Sequence, residues 1–144
     1  MKRTAQAIWK GTGMEGSGTL STKSGVFKET PYSFKTRFKN EDGTEGTNPE
    51  ELVAAAHAGC FNMALSFQLV KAGFTAEKLD TTAVVNMENV DGGFKIVGIE
   101  LQLTASVPDI SKKEFDELAA TAKKNCPISQ ALSAVPITLT GGLQ

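Results

Sequence analysis

The stretch "NPEELVAAAHAGCFNMALSF", residues 48–67, decides the fold. Asn48 suits an N-cap, Pro49 suits the first helical position, and Glu51 stands at the third, a capping-box pattern. The apolar run continues to Lys71 and Ala72, and Gly73 is a natural stop just past the helix. The spacing predicts one helix of about 24 residues, ~36 Å long. Its middle is apolar nearly all round, the pattern of a helix buried on most sides.

On the N-terminal side, residues 4–9 ("TAQAIW") and 18–22 ("GTLST") read as short strands between glycine-rich turns. Residues 25–38 ("GVFKETPYSFKTRF") read as two more extended pieces split by Pro31, with Arg37 near the end of the second. Residues 39–47 ("KNEDGTEGT") form a polar loop. On the C-terminal side, residues 81–107 alternate apolar and polar about Asp91-Gly92-Gly93, which predicts a long antiparallel hairpin. Ser111 and Glu114 make a second capping box. It opens a helix that carries Phe115, Leu118 and Ala122 on one face and ends at Asn125. Cys126-Pro127 starts a short helix, and residues 136–140 ("PITLT") are a final strand. Strands, helix, hairpin, helix and strand in that order give an α+β fold rather than alternating βαβ units. No internal repeat is visible.

A chain of 144 residues suits one domain, residues 1–144, with a real core. A formal net charge of −1 and a pI near 5.9 speak against nucleic acid or an anionic membrane as partner. The N-terminus has two basic residues but no apolar stretch after them, so it does not read as a secretory signal. No segment reaches ~18 uninterrupted apolar residues. The expectation is a soluble, cytoplasmic protein. Two cysteines are few for a disulfide scaffold, and with one histidine they supply too few soft ligands for zinc.

The two cysteines read differently. Cys126 stands at the start of the short helix, whose positive end lowers a thiol pKa, with Lys123 and Lys124 nearby in sequence. It reads equally well as an ordinary turn cysteine. Cys60 lies in the long apolar helix, where burial raises the pKa and a thiol is ordinarily inert. Yet Glu50, Val53, His57, Cys60 and Ala64 fall on one face about 80° wide. A glutamate and a histidine on such a helix must be paired or exposed.

Glu50 cannot reach Cys60 of its own helix, because ten residues of rise separate the backbones by ~15 Å. The segment between is rich in small residues. Gly59 in mid-helix costs about 1 kcal/mol relative to alanine, which predicts close packing there. Two copies of the helix crossing antiparallel near Ala55 would bring Glu50 of one copy beside Cys60 of the other, twice over. Alternatively the alanines pack on the chain's own sheet and Glu50 only complements the helix dipole. His57, one turn before Cys60, reads either as a half-buried residue with a satisfied ring or as a base for a Cys–His pair.

With "TNPEELVAAAHAGCFNMALS" (47–66), "NCPISQAL" (125–132) and "PYSFKTRF" (31–38) in order, the chain resembles the OsmC/Ohr family of thiol peroxidases, and within it the osmotically inducible branch. The resemblance runs essentially end to end. It implies antiparallel sheets wrapped around a long central helix in an intertwined homodimer, with two active sites at the subunit interface. It implies that Cys60 is the peroxidatic cysteine, Cys126 the resolving cysteine, Arg37 the arginine that activates the thiolate and Glu50 its carboxylate partner. A guanidinium beside Cys60 would overcome the burial penalty and reverse the order of the two thiol pKa values. The implied reaction reduces organic hydroperoxides to alcohols through a Cys60 sulfenic acid and a Cys60–Cys126 disulfide, which an external dithiol recycles. Phe61, Met63 and Phe67 around Cys60 favour organic hydroperoxides over hydrogen peroxide. No flavin, haem or metal is implied. Two other classes stand beside this one: a cysteine hydrolase using Cys60 and His57, and a binding domain with inert cysteines.

Overall fold

In the computed structural model, which describes residues 1–40 and 44–144, the first strands stand where turn chemistry puts them. Strand β1 (Ala5–Lys10) pairs antiparallel with β2 (Ser17–Thr22), and β2 pairs antiparallel with β3 (Thr30–Ser33). Pro31 lies inside β3, opposite Thr19, and does not split two extended pieces. The strand is at the sheet edge, where a missing N–H leaves no ladder bond unmade. The second extended piece is instead a one-turn helix, α1 (Phe34–Phe38). Ser33 Oγ accepts the Thr36 N–H at 3.1 Å, and Thr36 Oγ1 accepts the Ser33 N–H at 2.9 Å. This reciprocal cap satisfies two backbone donors at once, which local alternation cannot offset. Residues 41–43 of the expected polar loop lie outside the described residues.

The chain divides into two compact units, Met1–Leu52 and Val53–Gln144. Helix α2 (Pro49–Lys71) begins in the first and continues through the second. Half of its expected capping box forms: Asn48 Oδ1 accepts the Glu51 N–H at 2.8 Å. The Glu51 carboxylate accepts instead from the Thr47 hydroxyl, at 2.6 Å. Gly73, at φ +92°, ends the helix in the left-handed conformation that glycine adopts without strain.

In the second unit, β4 (Lys78–Val90) and β5 (Gly93–Ser106) make the expected hairpin. Asp91 and Gly92 both have positive φ, +54° and +79°, as a tight two-residue turn requires. Strand β6 (Ile137–Leu143) adds beside β5 in parallel register. The expectation of antiparallel sheets therefore holds for β1–β3 but not for this mixed sheet. Gly141 is fixed by that pairing, because a Cβ there would collide with the Leu103 carbonyl.

Helix α3 (Lys112–Asn125) is capped by Ser111, whose side chain accepts the Glu114 N–H at 3.2 Å. Helix α4 (Pro127–Ala131) follows at once. The core gathers Phe61, Leu65 and Leu69 of α2, Leu101 and Leu103 of β5, and Phe115 of α3. Helix α2 is tied to β4 by polar bonds: Asn62 Nδ2 donates to the Leu79 carbonyl at 3.2 Å, and Thr81 Oγ1 donates to Asn62 Oδ1 at 2.6 Å.

Burial of α2 differs from the expectation. In this single chain only the stripe His57, Phe61, Leu65 and Leu69 is buried. By its length and composition the helix could cross a membrane, but this stripe is committed to the protein core. The opposite side, with Gly59, Met63, Phe67 and Val70, is exposed. Among the described residues nothing lies within 4 Å of where a Gly59 Cβ would stand, so they supply no close packing at that glycine.

Candidate active site

Two constellations carry chemistry, one in each unit. In the first, Arg37 at the end of α1 meets Glu50 in the first turn of α2. Nε donates to one carboxylate oxygen at 3.1 Å and Nη2 to the other at 2.6 Å. This fork-to-fork pair fixes the guanidinium plane. The Phe38 ring centroid is 4.8 Å from the guanidinium carbon, so the arginine also rests on an aromatic ring. The one-turn helix that the sequence reading missed is therefore what aims Arg37.

In the second unit Cys60 and Cys126 are free thiols, with their sulfurs 3.0 Å apart. That is hydrogen-bond contact, against ~2.05 Å for a disulfide. Cys126 is fully buried, while Cys60 keeps some exposure. Burial pushes the Cys60 thiol up, and the hydrogen bond with Cys126 adds to that, against the Ile128 N–H, which favours its thiolate. Burial also pushes Cys126 up, but hydrogen bonding from Cys60, from the N–H and hydroxyl of Ser129 and from the Ile128 N–H outweighs it and leaves Cys126 below the ordinary thiol range. The pair titrates as one system. Within this unit taken by itself, its negative charge is better held on Cys126. This matches the reading of Cys126 from its place at a helix start.

His57 is fully buried rather than half-buried, and burial holds it neutral by lowering its pKa. Its Nε2 lies 2.8 Å from Ser129 Oγ, while Nδ1 has no hydrogen-bond partner among the described residues. Its polar partner is therefore Ser129, and the partner of Cys60 is Cys126. Phe61 turns into the core and does not line an approach to Cys60. Met63 and Phe67, one and two turns beyond Cys60, are 63% and 70% exposed. Among the described residues no cluster of three or more His, Cys, Asp or Glu side chains could hold a metal. Sequence reasoning missed Ser129. It follows Cys126 by three residues, but nothing in the sequence ties it to a histidine 72 positions away.

The profile of the family described as OsmC-like protein matches residues 40–140. Peroxiredoxin OsmC of Escherichia coli (strain K12) is 50% identical over 132 residues, spanning 92% of this chain and 90% of that protein. The organic hydroperoxide resistance protein of Xanthomonas axonopodis pv. citri (strain 306) is 35% identical over 105 residues, 68% of each chain. The crystal structure of the organic hydroperoxide resistance protein OhrB of Bacillus subtilis superposes with a TM-score of 0.70 at 27% identity, over 98% of both chains. With a family profile that covers more than half its length and a relative at 50% identity along nearly all of it, the chain belongs to the OsmC family.

Proposed function

We propose that this protein is a thiol-dependent peroxidase that reduces organic hydroperoxides to alcohols. The observation that carries the reading is the pair of free thiols, Cys60 and Cys126, 3.0 Å apart in a member of this family. The Cys60 thiolate attacks the terminal oxygen of R–O–O–H. The O–O bond breaks, the alkoxide takes a proton and leaves as the alcohol, and Cys60 becomes a sulfenic acid. Cys126 condenses with it, releasing water and forming a disulfide. An external dithiol restores both thiols by exchange. Arg37, held by Glu50, supplies the positive charge that Cys60 lacks in its own unit.

The two units act together as one domain, residues 1–144, in a soluble, cytoplasmic homodimer. The exposed side of α2 that carries Gly59 receives the second copy. If it does, Gly59→Ala weakens dimerisation at least about tenfold in sedimentation equilibrium, because a methyl group intrudes on the crossing. If nothing covers the site, the same change leaves association untouched and stabilises the helix by about 1 kcal/mol. Met63 and Phe67 supply apolar surface beside Cys60 for the organic part of the substrate.

Turnover with a dithiol donor tests the reading. Cumene hydroperoxide is expected to be consumed with a kcat/KM at least about tenfold above that for hydrogen peroxide, since burying its apolar group contributes more than one factor of ten. Equal or reversed preference would remove the organic-substrate assignment. A hydrolase using Cys60 and His57 is disfavoured by the histidine's bond to Ser129. An inert cysteine pair predicts no turnover at all.

A further inference from the structure

A helix of one turn does not stand by itself, because its first hydrogen bond must fix about six dihedrals. Yet α1 carries Arg37 and holds it against Glu50 at 3.1 Å and 2.6 Å. Contacts outside the helix must therefore fix its place. Thr36, the residue before Arg37, makes such a contact. Its hydroxyl oxygen accepts the Ser33 N–H at 2.9 Å, which the capping box explains. The hydroxyl proton is shared between the Ser33 carbonyl at 3.1 Å and the Thr47 carbonyl at 3.3 Å. Capping explains nothing at Thr47, 11 positions further on. The methyl group of the same side chain is engaged too. A Cβ on Gly46 would stand 3.1 Å from Thr36 Cγ2, and the φ of +63° there is one that glycine adopts without strain. Thr47 is buried, and its hydroxyl donates to Glu51 in the first turn of α2. Thr36 thus joins the end of β3, α1 and the segment that opens α2. Arg37 is one residue beyond it, and Glu50 is three residues beyond Thr47.

We propose that Thr36 is a positioning residue for the first oxidation, its hydroxyl holding α1 on the segment before α2 so that the Arg37 fork meets the Glu50 carboxylate. The inference deepens the peroxidase reading above and rests on it, with Arg37 acting on the Cys60 thiolate. Thr36 acts through the guanidinium and not on the reacting atoms. The ion pair is by itself a weak anchor for α1, because ordering two long, partly exposed side chains offsets much of its attraction. The Thr36 hydroxyl instead ties backbone to backbone. Valine has nearly the same shape and no hydroxyl. It leaves the Ser33 N–H and the Thr47 carbonyl to water and lets α1 shift. A fork-to-fork pair is sensitive to such a shift, because both of its bonds depend on one alignment.

Two measurements test the proposal. One is 15N relaxation of the Arg37 Nε–H, which reports how firmly the guanidinium is held. The other is the second-order rate constant for the first equivalent of cumene hydroperoxide at neutral pH, which reports oxidation of Cys60. Thr36→Val is expected to loosen the Nε–H toward its mobility in Glu50→Ala. The first oxidation is expected to slow about three- to tenfold, the range of one lost hydrogen bond. Thr36→Ser, which keeps the hydroxyl, is expected to stay within about twofold of the wild-type rate. In an Arg37→Ala background Thr36→Val is expected to slow the reaction no further, whereas general damage to the fold would slow that background as well. If Thr36→Val does not fold, Thr36→Ala carries the same comparisons. The proposal is overturned by an Nε–H as rigid in Thr36→Val as in the wild type, or by a wild-type rate in Thr36→Val while Arg37→Ala is slow. It is also overturned if Thr36→Val slows the reaction equally with and without Arg37, or if Thr36→Ser is as slow as Thr36→Val. An Arg37→Ala protein that is oxidised at the wild-type rate would overturn the role of Arg37 in the peroxidase reading instead, and the Nε–H relaxation would still decide whether Thr36 holds the arginine in place.

Discussion

Cys60→Ser is expected to bring peroxide consumption down to the uncatalysed background, while Cys126→Ser still consumes one equivalent of peroxide per chain. The asymmetry follows from where each sulfur sits. Cys60 keeps some exposure, whereas Cys126 is completely buried, so a peroxide reaches Cys60 first. Cys126 in turn has its position fixed by α4 and lies 3.0 Å from Cys60, suited to close on a sulfenic acid rather than to meet substrate. Without it, the Cys60 sulfenic acid persists and a second peroxide drives it to sulfinic acid, which a dithiol does not reverse. In that variant a burst of one equivalent is followed by slower uptake of a second and then by silence, and the mass of the Cys60 peptide rises by two oxygens. First oxidation at Cys126 in the wild type would reverse the assignment of the two roles.

The pH dependence of that burst has a definite sign. Burial, the Cys126 hydrogen bond and Cys126 charge raise the Cys60 pKa within its unit, and only the thiolate attacks. In an Arg37→Ala protein the burst is therefore slow at neutral pH and recovers as pH rises toward the raised pKa. If Arg37 acts as proposed, the wild-type profile is expected to be flatter. The bottom-up ordering, with Cys126 as the more acidic thiol, holds for the second unit by itself; the proposed action of Arg37 on Cys60 would reverse it.

Much of the fold was legible because periodicity and caps agree over long segments. Asn48 and Ser111 both accept the backbone N–H three residues on. Asp91-Gly92 supplies two positive φ angles in the hairpin turn. Short elements were not legible. Five residues in "FKTRF" carry no helical period, and only the Ser33–Thr36 cap marks α1. The parallel register of β6 has no sequence signature, since its alternation suits either direction. The site was legible in its residue types but not in its pairings. Arg37 with Glu50, and His57 with Ser129, are tertiary contacts across 13 and 72 positions. The Cys60–Cys126 partnership came from resemblance to a family, not from spacing. The expectation of burial all round α2 was a statement about hydrophobicity, which does not distinguish a core from an interface.

Glu50→Ala is expected to lower kcat/KM about ten- to a hundredfold, the range of a lost charge-assisted hydrogen bond, without unfolding the protein. The carboxylate accepts from two donors on one edge of Arg37, Nε and Nη2, and so fixes the guanidinium plane. Without it, the guanidinium loses the group that fixes its plane, and the thiolate it should stabilise becomes rarer. Whether Glu50 serves its own chain's Cys60 or the partner's is a separate question, and the helix rise leads us to expect the partner's. Ten residues of α2 put ~15 Å of rise between the two backbones. An antiparallel crossing of two α2 helices near Ala55 closes that gap without bending either one. Ala55 and Gly59 are exposed on α2 and small enough for two backbones to approach. Complementation distinguishes the cases. Glu50→Ala and Cys60→Ser subunits, each impaired alone, are mixed in denaturant and refolded together. With the carboxylate acting across the dimer, every heterodimer holds one site with both groups intact and one site lacking both. A statistical mixture, half heterodimers, then recovers about one quarter of the wild-type activity, well above either parent. If heterodimers form but activity stays at the average of the two parents, Glu50 acts within its own chain and the crossing near Ala55 does not exist.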